Sequence, residues 1–118
     1  MMDLQEAIRA HSDWKTKLRG AISSKSQLDV STIARDDCCA LGKWLHGESR
    51  PTYGPLASHK ACVTKHASFH KEAAKVAGAI NKGSYSEALE MLELGKAYAL
   101  ASNEVVFAIG ALKREAKL

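Results

Sequence analysis

Two histidines one helical turn apart, His66 and His70, share an apolar stripe. The stripe reads Leu56, His59, Val63, His66, His70, Ala73, Ala77 and Ile80. Its steps of three and four are the spacing of a core-facing helical seam. Residues four apart stand one above the other, so the two imidazoles can converge on one point. An imidazole buried without a partner is costly, and two on one seam double that cost. A metal ion would remove it.

Further donors lie elsewhere in the chain. The first segment places His11 on an apolar face with Leu4, Ala7, Ile8, Leu18, Ala21 and Ile22. A middle segment offers the doublet Cys38-Cys39, just after Asp36-Asp37. Histidines with one thiolate form a borderline-soft nitrogen and sulfur set, which suits tetrahedral zinc better than the oxygen-seeking magnesium or calcium. Each histidine alone also fits a simpler reading, a satisfied core imidazole, and that reading suits His11 taken by itself. Three on core stripes with a cysteine after a helix-start signal favour the metal. Asp13, Asp36 and Asp37 are candidates to accept the outer N–H of a ligating imidazole, with helix capping as the alternative.

Three blocks carry a family resemblance: His11-Ser12-Asp13-Trp14, then Cys39-Ala40-Leu41-Gly42-Lys43-Trp44-Leu45, then His66-Ala67-Ser68-Phe69-His70. In this order they resemble the chemoreceptor zinc-binding (CZB) domain, found in bacterial chemoreceptors, in diguanylate cyclases and as small free-standing proteins. The resemblance implies zinc held by His11, Cys39, His66 and His70, the Leu-Gly-x-Trp offset selecting Cys39 over Cys38. It also implies a regulatory module, responsive to zinc or to oxidants, that acts on chemotaxis or cyclic-di-GMP synthesis through homodimers. A chemoreceptor or diguanylate cyclase would then be the output partner, and Cys39 the redox-reactive residue.

The elements that must position these donors are helices. Ala, Leu, Lys and Glu are abundant, prolines number only two, and no period-two run suggests a strand. The pattern predicts a helix over residues 4–22, a short turn over 29–33 capped by Asp29, and a short helix capped by Asp36 or Asp37 that ends near residue 45. A loop over 47–54 follows, then a long helix from Pro55 to residue 81 closed by Gly83. The last helix opens at a Ser84–Glu87 capping box and runs to about residue 113. The expected architecture is an all-α four-helix bundle whose second leg is made of short helices, in a single domain spanning residues 1–118. Gly95, Ala99 and Ser102 form a small-residue stretch on the last helix, which leaves room for imidazoles or allows close packing. Trp14 and Trp44 are expected beside the site.

A net charge of +4 on 118 residues is mild, and the lysines are scattered, which argues against nucleic acid. No apolar run approaches the ~20 residues needed to cross a bilayer. With no leader and an odd number of cysteines, the chain is expected to be soluble and cytoplasmic. Four protein ligands leave zinc no open position, and His66 lacks a following Glu to act as base, so no enzyme is expected. The alternatives are a hemerythrin-like iron bundle, which needs carboxylates absent from these stripes, and a structural dimerisation module.

Overall fold

The seam through His66 and His70 forms the longest helix because nothing within it breaks the pattern: no proline, and glycine only at Gly78. The computed structural model of the chain describes residues 2–118. Its elements are α1 (Leu4–Ser12), α2 (Trp14–Ser24), α3 (Val30–Ala34), α4 (Ala40–His46), α5 (Arg50–Tyr53), α6 (Ala57–Asn81), α7 (Tyr85–Met91) and α8 (Ala97–Ala116). No strand occurs among the described residues. The architecture is the expected helical bundle, with legs α1–α2, α3–α5, α6 and α7–α8.

The central helix α6 buries His59, Cys62, His66, Phe69, His70, Ala73, Val76, Ala77 and Ile80. Leu56 and Val63 of the expected stripe are only half-buried. α8 runs antiparallel to α6, as two polar links show: Lys65 pairs with Glu104 at 2.5 Å, and Ser58 hydrogen-bonds Glu115. α1 packs on α8, and α3 lies against α6. Core side chains come from seven of the helices, among them Leu4, Leu18, Ile33, Leu41, Phe69 and Ile109. The connection after α2 is pinned to the end of α6 by Asn81. Its side-chain oxygen accepts from the Leu28 N–H, and its amide donates to the Leu28 carbonyl, each at 2.8 Å.

Several ends differ from the sequence pattern, each for a local reason. The first leg is split at Asp13, a residue that favours helix ends over interiors. Its backbone stays helical (φ −75°, ψ −12°), so one leg continues through the break. Asp29 caps α3 as expected, its carboxylate accepting from the Thr32 N–H at 3.2 Å. Neither Asp36 nor Asp37 caps α4. Asp36 bonds His46 and Asp37 bonds Arg35, and the cap is Cys39, whose sulfur accepts from the Gly42 N–H at 3.4 Å.

Residues 47–54 are not all loop. Pro51 suits a first helical turn, and one turn forms there as α5. Pro55 precedes α6 rather than opening it, because Leu56 is the extended cap. The end of α6 is as read. Gly83 is left-handed (φ +80°), and the Gly83 and Ser84 N–H groups bond back to the Ile80 and Ala79 carbonyls at 3.0 and 2.9 Å, a Schellman closure.

The last helix is broken. Ser84 stands at the cap position without a side-chain bond, α7 ends at Met91, and Gly95 turns the chain at φ +84° before α8. Gly95 is therefore exposed and opens no space inside the bundle. The buried stripe of α8 shifts to Tyr98, Ala101, Val105, Ile109 and Leu112, leaving Ser102 and Val106 half-buried.

Candidate metal centre

Two helices and one helix cap deliver the donors. His11 projects from the last turn of α1, His66 and His70 from the middle of α6, and Cys39 from the N-terminal cap of α4. The three histidines are at most 3% exposed, and Cys39 is half-buried. One donor atom from each lies within 4.8 Å of all the others, so the group is positioned to hold a metal ion. The Nε2 atoms of His66 and His70 are 3.0 Å apart, and Cys39 Sγ is 3.2 Å from the first and 3.7 Å from the second. A tetrahedron with ordinary zinc bond lengths has edges of about 3.3 Å between nitrogens and about 3.6 Å from nitrogen to sulfur. The spacing fits.

Hydrogen bonds at the back of two rings fix which nitrogen faces inward. His11 Nδ1 donates to the Ala7 carbonyl at 2.8 Å, and His70 Nδ1 donates to the Ile33 carbonyl at 3.0 Å. Each ring then turns an unprotonated Nε2 toward the cluster. His11 Nε2 is buried with no protein partner, which is the atom a metal would satisfy. His66 Nδ1 also lacks a partner. The carboxylates of Asp36 and Asp37 are engaged elsewhere, so backbone carbonyls orient the rings instead. Ala7 is one turn before His11, and helical spacing makes that carbonyl readable from sequence. The Ile33 carbonyl depends on how α3 packs and is not.

Electrostatics prepare the same state. Burial lowers the pKa of His11 and His70 and takes His66 down to about 3, so all three rings stay neutral. Neutral imidazole is the form that binds metal. Burial raises the Cys39 pKa, partly opposed by the Gly42 and Leu41 N–H groups. A divalent cation deprotonates such a thiol outright. The aromatic ring against the cluster is Phe69, with centroids 5.4 Å from His11 and 5.5 Å from His70. Trp44 packs on Tyr53 with ring centroids 5.9 Å apart, and the Lys17 ammonium lies over the Trp14 ring.

The sequence profile of the chemoreceptor zinc-binding domain matches residues 11–77. The chain belongs to this family. The matched span covers more than half of the chain and contains all four donor residues. No characterised protein and no solved structure gives a match. The CZB family binds zinc, and the nitrogen and sulfur set of this chain has the chemistry that zinc prefers. Sequence reasoning missed one buried polar pair outside the cluster, Ser49 with His59, because neither residue belongs to a recognisable motif.

Proposed function

We propose that the chain is a zinc-binding sensory domain, folded as one unit over residues 1–118, with His11, Cys39, His66 and His70 as the four ligands. The convergence of three neutral imidazoles and one thiol within 4.8 Å carries this reading. The group contains no carboxylate, which disfavours a hemerythrin-like di-iron site. Four protein donors leave no position for water or substrate, so zinc here would set structure and sulfur reactivity rather than catalyse.

Bound to zinc, Cys39 is a thiolate and open to two-electron oxidants. Its sulfur attacks one oxygen of a hydroperoxide, the O–O bond breaks and hydroxide leaves, giving a sulfenic acid that no longer serves as an anionic ligand. The site then loosens around α4. Cys62 is a poor competitor, since burial pushes its thiol up to about 12. The signal would pass to a chemotaxis receptor or a cyclic-di-GMP-synthesising enzyme, in keeping with the family. No described helix is long and apolar enough to cross a membrane.

We assign the signalling form as a homodimer. Phe107 on α8 is 73% exposed, with Leu100 on the same outer stripe. Beside Phe107 a groove of about 490 Å³ is floored by Ala61, Ala108 and Ala111. Knob and groove lie on one face, so two copies about a two-fold axis can each seat the other's ring. A purely monomeric sedimentation profile at about tens of micromolar, well above the Kd of an ordinary dimer, would contradict this.

Zinc content tests the ligand set. The purified protein should carry one zinc per chain, and Cys39→Ala and His70→Ala should each lower zinc affinity at least about tenfold, the smallest loss expected even for a group that only supports a ligand. Undiminished affinity in either variant removes the assignment.

A further inference from the structure

Away from the metal cluster, α4, α5 and the start of α6 enclose a cleft of about 550 Å³. That is within the ~300–1,000 Å³ range of small-molecule sites. Its exposed apolar surface comes from Pro55 and Val63, above the fully buried Leu45, and its polar surface from His46, Arg50 and Lys60. No acidic residue lines it. Asp36 reaches one lining side chain, His46, at 3.0 Å. Arg50 and Lys60 have no ion-pair partner among the described residues.

The cleft is held in shape by the buried Ser49–His59 pair. Ser49 is 1% and His59 4% exposed. Ser49 Oγ lies 2.8 Å from His59 Nε2 and donates to the Leu45 carbonyl at 3.3 Å. This chain of bonds ties the last turn of α4 to the first turn of α6, so the walls are set before a ligand arrives. Burial lowers the His59 pKa, which keeps the ring neutral and leaves the positive charge to Arg50 and Lys60.

We propose that this cleft binds a small organic anion, with its oxyanion head on Arg50 and Lys60 and a compact apolar body on Pro55 and Val63. A planar guanidinium pairs with two oxygens of a carboxylate or phosphate at once, and a second cation strengthens the contact. The apolar wall distinguishes such a ligand from a bare inorganic anion, and the two cations distinguish it from a neutral molecule of the same shape. None of its lining residues belongs to the metal cluster.

The test uses the zinc-loaded full chain, with benzoate as probe and backbone amide shifts as the readout. Benzoate should shift the Leu45, Gly54, Lys60 and Val63 amides saturably. Benzamide and inorganic phosphate should each bind at least about tenfold more weakly, as expected when a charge-assisted contact or the apolar contact is lost. Arg50→Gln/Lys60→Gln should weaken benzoate by a similar factor with zinc content and helicity unchanged, and Lys60→Gln alone should weaken it less. Benzamide binding as tightly as benzoate, phosphate binding as tightly as benzoate, or no saturation up to on the order of 10 mM would overturn the proposal. So would shifts confined to other residues, or unchanged benzoate binding in the double variant.

Discussion

At position 42, two effects of known size oppose one another. Replacing a helical glycine by alanine ordinarily gains about 1 kcal/mol of helix propensity. Here the new Cβ would collide with the Asp36 carbonyl and crowd the Asp37 Cα at 3.1 Å, because residues 36–37 cross directly over α4. Backbone on both sides cannot yield as a flexible side chain would. Gly42→Ala should therefore destabilise the protein by about 2–4 kcal/mol, the range of a severe core clash, and weaken zinc binding by displacing Cys39. Thermal unfolding and a competitive zinc titration check both, and a raised melting temperature would contradict the steric account. At this scale the clustering of these residues is partly legible in the sequence. Helical spacing pairs His66 with His70, whereas the apolar face of His11 alone also fits a core imidazole, and the choice of Cys39 over Cys38 rests on the Leu-Gly-x-Trp offset of the family resemblance. The partners behind the rings are less readable, since the Asp residues flanking the blocks found Arg35 and His46 instead. A carbonyl leaves no signature in residue type.

At the scale of elements, α4 is the part most dependent on the metal. It is seven residues long, its N-terminal cap is Cys39 itself, and it buries only Leu41, Gly42, Trp44 and Leu45. α6, by contrast, runs for 25 residues through the centre of the core. Segments with few turns and few buried contacts open at low free energy. Removing zinc, or oxidising the zinc-bound Cys39, should raise amide exchange first over residues 36–47 while α6 and α8 stay protected. Exchange by mass spectrometry on zinc-loaded, chelated and mildly oxidised protein distinguishes this from a site that is only a staple, for which exchange would change uniformly or not at all. The sequence shows the helical legs well and their interruptions poorly. The breaks at Asp13 and at residues 92–96 sit inside patterns that remain amphipathic, so periodicity runs straight across them. Gly95 carried the available warning at the second break, but a glycine within a helical pattern is equally compatible with close packing.

For the whole molecule, the burial of four histidines makes stability depend on pH in a window that carboxylates do not reach. His11, His59, His66 and His70 all have folded pKa values below the unfolded value near 6.5, chiefly through desolvation. The unfolded chain therefore takes up protons below pH ~6.5 that the folded chain refuses. The stability these groups contribute is fully present above that pH and is lost as pH falls toward the folded values. For His66, lowered to about 3, the loss continues throughout the accessible range. One such histidine costs on the order of 1 kcal/mol for each pH unit below its unfolded value. The carboxylates with lowered pKa, Asp29, Asp37 and Glu115, are surface groups held below the ordinary carboxylate range by hydrogen bonds, so they contribute little in the histidine window. Chelated protein should thus show a urea midpoint that is nearly level from pH 7.5 to about 6.5 and drops as pH falls on to 5.5. Zinc-loaded protein should be more stable at every pH in that range, and its advantage should shrink as pH falls because protons compete for the Cys39 thiolate. Helicity of the chelated form at pH 7.5 should largely survive, because the bundle retains an apolar core from Leu4 to Leu112 that does not involve the metal. A flat midpoint between pH 7.5 and 5.5 in the chelated protein would show that the histidines are hydrated in solution, and would remove the buried, preformed site from which the zinc assignment starts.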